Sequence, residues 1–258
     1  MKLYQSQIDF QYVGVTVLVN DLPVFTDNGR GQSSGGAVIN PYLLGAPNHI
    51  SVILTPRRGE VLPPAQATAD VKVLAYTQGA DGKPGPIETV YHFHWKQTEP
   101  PQRAPAPANG TLPAVLLPRP LNWQDAPRVQ QVDAATKAEI DAQIKDLHDA
   151  LGAKDSTKIR SLLAAKLDNS ALALGRTQAQ MDASQQAFFE DDFRDPDWRM
   201  KPIGYAHLQY HLRAGGRVVQ VLNPDGSDPL ASVPDKNASS TLIDLYLARI
   251  DGHWAFVL

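Results

Sequence analysis

The chain has 258 residues, of which 24 are Lys or Arg, 27 are Asp or Glu and none is Cys. This length suits one or two domains that bury a core without disulfides. The net charge of -3 argues against a nucleic-acid-binding protein, and the lack of Cys excludes a thiol nucleophile, a disulfide framework and a Cys-ligated zinc site.

Residues 1–98 have the pattern of short strands separated by turns. Apolar and β-branched residues run together over 8–19, which predicts one strand, and the Asn20-Asp21 pair favours a turn. Further strands are predicted over 22–25, 49–54, 69–76 and 87–95. About seven strands with frequent turn signals indicate an antiparallel β-sandwich.

Residues 99–132 form a proline-rich strap. The proline spacing favours extended, semi-rigid chain and excludes a helix. Residues 112–117 are too apolar for a pure linker. We expect them to lie along the sandwich as an edge strand, where proline is tolerated.

Helical periodicity begins at residue 133. Thr136 and Glu139 have the spacing of a capping box, and Asp133 is an alternative N-cap. Apolar residues at i, i+4, i+7 and i+11 from Ile140 predict one buried helix face, and Gly152 ends the helix.

Two more helices and a run of strands complete the predicted second domain, 133–258. Asp155 is expected to cap a helix that ends at Gly175, and Thr177 with Gln180 a third that ends before Pro196. Strands follow over 205–213, 217–222, 241–250 and 253–258, the last two joined by an Asp251-Gly252 hairpin turn. This order predicts an α+β domain with three helices on one face of a curved antiparallel sheet.

The end of the second domain carries a resemblance to a known family. Residues 251–257, Asp-Gly-His-Trp-Ala-Phe-Val, follow three helices and a β-meander, and this order resembles the nuclear-transport-factor-like (SnoaL-like, ketosteroid-isomerase-like) cone. The resemblance covers about 133–258 and implies a conical pocket between sheet and helices. Some members of the family are isomerases or hydrolases, and many bind proteins or small ligands without catalysis.

The first domain carries a second resemblance. In residues 40–52, Gly45 and Asn48 precede an alternating apolar strand, which resembles a corner of the jelly-roll sandwiches of bacterial envelope and carbohydrate-active proteins. Gly45 permits an unusual backbone angle, and the Asn48 side chain can bond the loop backbone. The resemblance implies an architecture and not sugar binding.

Asp244 is the main catalytic candidate because it interrupts an apolar run in a predicted strand. A carboxylate buried there could act as a general base, with His207 or His211 as its partner across the sheet. The alternatives are a solvent-open strand face or an ion pair with Arg213, Arg217 or Arg249.

Two pairs of histidines are candidate metal ligands. His207 and His211 would lie about 13 Å apart along a strand, which is too far to share an ion. His92 and His94 would lie about 6.6 Å apart on one strand face, and a third ligand would have to come from another strand. The alternative is a pair of exposed edge histidines, and we expect no cofactor.

Acidic residues crowd the C-terminal end of the third predicted helix, where the helix dipole favours cations. They are Glu190, Asp191, Asp192, Asp195 and Asp197. A solvated helix end, a calcium site and a surface that docks a basic partner all fit an acidic cluster, although the spacing does not match a helix-loop-helix calcium loop.

The absence of phosphate-loop, nucleophile-elbow and metalloprotease motifs favours binding over catalysis. We therefore expect a non-catalytic protein-binding module of bacterial type, such as an accessory or immunity-type protein of a secretion or toxin system, whose partner has a basic surface. An isomerase or hydrolase using the cone pocket is one alternative. The other is a carbohydrate-binding sandwich built around Tyr42, Tyr76, Tyr91 and Trp95.

No apolar stretch is long enough to span a membrane, so we expect no membrane insertion. No secretory signal follows Lys2, so the expected location is the cytoplasm, or the periplasm if a leader has been removed.

Overall fold

The computed structural model describes residues 1–29, 31–57, 59–79, 83–234 and 240–258, and for Asp191 the backbone alone. The fold is a mixture of helices and antiparallel sheets. The chain divides into two compact units, Met1–Pro118 and Arg119–Leu258, so the division falls inside the predicted strap.

The N-terminal unit contains two four-stranded antiparallel sheets, in the orders β4-β1-β6-β7 and β3-β2-β5-β8. Its strands are β1 Lys2–Gln11, β2 Gly14–Val19, β3 Leu22–Asp27, β4 Gln32–Gly35, β5 Asn48–Thr55, β6 Thr68–Thr77, β7 Glu88–Lys96 and β8 Ala108–Leu112. Alternate side chains of both sheets, such as Ile8, Val17 and Val71, meet in one buried cluster. The other side chains of each strand therefore face outward.

Three predictions for this unit are corrected by the structure. The single strand over 8–19 is two strands, because Tyr12 has a φ of 53° and interrupts the extended chain. The short strand β4 lies between the predicted strands over 22–25 and 49–54, where no strand is predicted. The strap does supply an edge strand beside β5, but this strand is β8 and not 112–117.

The C-terminal unit contains four helices and a sheet in the order β14-β13-β10-β9. The helices are α1 Ala134–Gly152, α2 Ser156–Leu162, α3 Ala164–Leu174 and α4 Gln178–Arg194. The strands are β9 Gln209–Arg213, β10 Val218–Leu222, β11 Leu230–Ala231, β12 Leu242–Ile243, β13 Tyr246–Ile250 and β14 His253–Phe256. The short strands β11 and β12 pair with each other.

The helix caps follow the sequence closely. Asp133 accepts a hydrogen bond from the Thr136 amide at 2.8 Å, so Asp133 and not Thr136 is the N-cap of α1. Asp155 caps α2 as predicted, and Thr177 with Gln180 forms the predicted capping box of α4. Gly175 ends α3 in the left-handed conformation, with a φ of 63°.

Other boundaries in this unit differ from the predicted ones. The second predicted helix is two helices, because Leu163 leaves the helical region with φ and ψ of -92° and 8°. The strand predicted over 205–213 begins with a 3-10 turn, Tyr205–His207, before β9. The strand predicted over 241–250 is interrupted at residues 244 and 245, between β12 and β13.

Apolar side chains fill the space between the helices and the sheet. Ile140, Ile144 and Leu147 of α1 belong to the same buried cluster as Val219 of β10 and Phe256 of β14. None of the helices in the described ranges is long and apolar enough to cross a membrane.

Candidate functional site

The acidic end of α4 is held by hydrogen bonds within the C-terminal unit. Lys154 donates from Nζ to the carbonyl oxygens of Phe193 and Asp195, each at 2.8 Å. This ammonium group satisfies carbonyls that the end of the helix leaves open, and its charge suits the negative end of the helix dipole. The acidic residues at the end of α4 interact unfavourably with the helix dipole, and the Lys154 ammonium group, which lies outside α4, offsets this effect.

Several of the acidic side chains have partners of their own. Glu190 pairs with Arg194 at 2.5 Å, Asp192 accepts from the Thr241 hydroxyl at 2.5 Å, and Asp195 accepts from the Asp197 amide at 2.9 Å. The Asp191 side chain lies outside the described residues. These contacts fix the carboxylates of Glu190, Asp192 and Asp195 in position, while Glu190 and Asp197 remain exposed.

Two large apolar residues near Asp192 have exposed side chains. Phe188 is 59% exposed and lies one helical turn before Asp192, on the same side of α4. Leu242 is 57% exposed and directly follows Thr241, which is bonded to Asp192. We name the outward-facing end of α4 together with Leu242 the α4 surface, and define it as Phe188, Glu190, Asp192, Asp195, Asp197 and Leu242. Glu190, two residues after Phe188, lies on another side of the helix.

Helix α4 contacts the core through few of its residues. Phe189 is its one buried side chain among those described. Phe193 stacks on Phe189 with ring centroids 5.2 Å apart, and its ring meets the edge of Trp198 at 5.5 Å. This aromatic strip, together with Met181, therefore anchors α4 to the core.

Asp244 lies between β12 and β13 and is exposed, so it is not in a strand interior as the sequence predicted. Its neighbours are Asp228, with which it shares a hydrogen bond, and Lys166 of α3. Burial raises the pKa of Asp228 to about 6, as do the charge and hydrogen bond of Asp244, while Lys166 acts in the opposite direction. Burial lowers the pKa of Lys166, and the two carboxylates offset part of that effect.

The structure does not bring the two predicted histidine partners to Asp244. His211 is on β9 opposite Gln220 of β10, and β10 separates β9 from the strand that Asp244 precedes. Burial lowers the pKa of His211, and the charge of Arg213 lowers it further. His207 is exposed in the 3-10 turn. The catalytic hypothesis therefore lacks the acid–base pair on which it depended.

The Asp228–Asp244–Lys166 cluster makes a testable contribution to stability. Asp228→Asn should stabilise the C-terminal unit at pH 7 by about 1–2 kcal/mol, because the raised pKa means that the ionised form is disfavoured in the folded chain. A carboxyl group whose pKa is higher in the folded chain than in the unfolded chain adds stability below the pKa of the unfolded state, about 3.9. That stability is lost as the pH rises through the pKa of the folded state. The gain should therefore disappear at pH 4, as measured by urea unfolding.

Asp146→Asn is the matched control, since Asp146 is an exposed carboxylate of α1. It should change the free energy of unfolding by less than about 0.5 kcal/mol at either pH. A gain for Asp228→Asn that persists unchanged at pH 4 would contradict the interpretation.

His92 and His94 flank a carboxylate that the sequence did not associate with them. His92 Nε2 and His94 Nδ1 lie 3.0 and 3.1 Å from Asp70 Oδ2, and Lys72 Nζ lies 3.1 Å from Asp70 Oδ1. Partial burial would raise the pKa of Asp70, but the bonds from His92, Lys72 and His94 outweigh it and lower this pKa to about 2. Within the described ranges, no group of three His, Cys, Asp or Glu residues could hold a metal ion.

The four aromatic residues of the carbohydrate alternative do not share one face. Tyr42, Tyr91 and Trp95 pack against the buried cluster of the N-terminal unit. Tyr76 lies among the outward-facing positions of β6. A flat aromatic platform for a sugar ring is therefore not formed by this set.

Neither a family model, nor a curated protein, nor a solved structure matches this chain. Two resemblances therefore remain predictions: that of residues 133–258 to the cone family, and that of residues 40–52 to a jelly-roll corner.

Proposed function

We propose that this protein is a non-catalytic protein-binding module and that the α4 surface is where its partner docks. The observation that carries the proposal is the exposure of two large apolar residues near Asp192. Phe188 lies one turn before Asp192 on α4, and Leu242 follows Thr241, which is bonded to Asp192. Large apolar side chains exposed together, with a polar rim, are typical of protein interaction sites.

The chemistry of the α4 surface defines the partner. Burying Phe188 and Leu242 requires an apolar side chain opposite them, and aromatic residues are frequent energetic centres of interfaces. The surrounding carboxylates favour Lys or Arg at the edge of the contact, where complementary charge speeds association and selects the partner. The proposed partner therefore presents an apolar residue within a basic surface.

The cone-like arrangement proposed for the C-terminal unit fits a binding role. Its interior is filled by apolar side chains of α1 and the sheet. Recognition would then use the outer surface of α4 and not a pocket between helices and sheet. The anchoring of α4 by Lys154 and Phe193 would present this surface in one orientation, which lowers the entropic cost of binding.

The proposal is tested by capture of partners on the immobilised full chain, with quantitative mass spectrometry. A partner of the α4 surface should be depleted at least about tenfold by the double variant Phe188→Glu and Leu242→Glu, since loss of an interface centre costs about 2 kcal/mol. Its binding should also weaken with added salt. Purified partner and protein are then titrated directly.

Leu116→Glu is the matched control, because Leu116 is 88% exposed and lies in the N-terminal unit. This variant should retain the same partner. Equal capture by the double variant and by Leu116→Glu would overturn the proposal, provided that circular dichroism shows both variants folded.

A further inference from the structure

The outward face of the sheet β4-β1-β6-β7 carries an ordered row of polar residues. Asp9 of β1 is directly opposite Ser34 of β4 and Asp70 of β6, and Asp70 is directly opposite His94 of β7. Residues paired in this way project from the same face of a sheet. The row Ser34–Asp9–Asp70–His94 therefore crosses all four strands.

A second polar row lies two residues along the strands. Gln11 of β1 is opposite Gln32 of β4 and Thr68 of β6. Side chains two residues apart on a strand point to the same side. Hydroxyl, amide, carboxylate and imidazole groups thus form a continuous patch on one face.

The pairing of Asp9 with Asp70 is unfavourable for folding alone, since like charges directly opposite in a sheet repel. Asp70 is compensated by Lys72, His92 and His94. The Asp9 side chain is exposed, and among the described residues it has no hydrogen-bond or ion-pair partner. The Asp70 carboxylate is thus held in a fixed orientation, and the neighbouring Asp9 carboxylate remains open to a ligand.

These rows line a groove of about 520 Å³. Its walls include Asp9, Asp70, His94, Ser34, Gln11 and Gln32. The volume is within the range of small-molecule sites. The groove lies on the N-terminal unit and shares no residue with the α4 surface.

We propose that this groove binds a carbohydrate through its hydroxyl groups. Each sugar hydroxyl both donates and accepts hydrogen bonds, and the groove offers acceptors on Asp9 and Asp70 and groups of both kinds on Ser34, Gln11 and Gln32. Carboxylate acceptors make the stronger bonds of this set. Because Asp70 is compensated, the groove keeps one open carboxylate, which suits a neutral polyhydroxylated ligand better than a polycation.

The test is a nuclear magnetic resonance titration of the ¹⁵N-labelled full chain with hexaoses of glucose, mannose, xylose and N-acetylglucosamine. At least one sugar should give saturable shifts of the Asp9, Asp70 and His94 amides. Asp9→Ala should weaken that binding at least tenfold, and Gln11→Ala should weaken it less. Removing Asp9 relieves a like-charge pair, so this variant is expected to fold.

Glu88→Gln is the matched control, because Glu88 is an exposed carboxylate of β7 that is not among the groove residues. It should bind as the parent protein does. The proposal is overturned if none of these sugars gives saturable shifts, if Asp9→Ala binds as well as Glu88→Gln, or if spermidine alone shifts the groove amides.

Discussion

Asn48→Ala is expected to lower the free energy of unfolding of the N-terminal unit by about 3 kcal/mol, because it leaves several buried polar groups without partners. Asn48 is fully buried. Its Oδ1 accepts from the Leu44 amide at 2.6 Å and from Asn20 Nδ2 at 2.7 Å, while its Nδ2 donates to the Ala46 and Pro113 carbonyl oxygens at 3.1 and 2.8 Å. One side chain thus joins a turn, a loop and the segment after β8.

Asn109→Ala serves as the control for Asn48→Ala. Asn109 accepts from the Ser51 hydroxyl at 2.6 Å but is exposed, so water can replace this bond. Its removal should cost less than about 0.5 kcal/mol in the same chemical unfolding experiment. Similar losses for the two variants would contradict the role assigned to Asn48.

Local chemistry accounts for the parts of the fold that the sequence predicted well. Caps depend on residues three or four positions apart, so Asp155 and the Thr177–Gln180 box could be identified from spacing alone. The role of Asn48 as a turn residue was visible in the same way. Its bonds to Asn20 and Pro113 were not, because they join residues 28 and 65 positions away.

Boundaries inside long apolar runs were harder to predict. Tyr12 and Leu163 interrupt a strand and a helix, and neither is a glycine or a proline. Their backbone angles are set by how the flanking segments pack, and periodicity cannot report this. The strand β4 has the sequence Gln-Ser-Ser-Gly, and pairing with β1 determines its conformation.

The candidate sites show the same division between local and long-range information. The acidic end of α4 and the His92–His94 pair were evident because their members are close in sequence. Their partners Lys154 and Asp70 lie outside these segments, so identifying them requires knowledge of the tertiary fold or of the strand register. Lys166 was missed, although a lysine between the apolar positions Leu163 and Leu167 is an unusual feature of a buried helix face.

Trp123→Ala should produce the largest loss of stability, about 3–5 kcal/mol in the C-terminal unit, because it removes a large buried side chain and leaves a cavity. Trp123 is 1% exposed, although it lies in the strap that the sequence predicted to be extended. Its 3-10 turn, Asn122–Asp125, packs against β13. The Asn122 amide donates to the fully buried Asn169 at 2.8 Å, which fixes this turn to α3.

The result distinguishes a structural element from a linker. Hydrogen exchange that resolves the two units should show faster exchange throughout β13 and α3 in Trp123→Ala, with the amides of the N-terminal unit unchanged. Gln130→Ala, an exposed position of the same strap, should change stability by less than about 0.5 kcal/mol. If Trp123→Ala costs no more than Gln130→Ala, residues after Pro118 connect the units without contributing to the second core. A loss of the expected size would instead mean that the C-terminal unit requires this part of the proline-rich segment to fold.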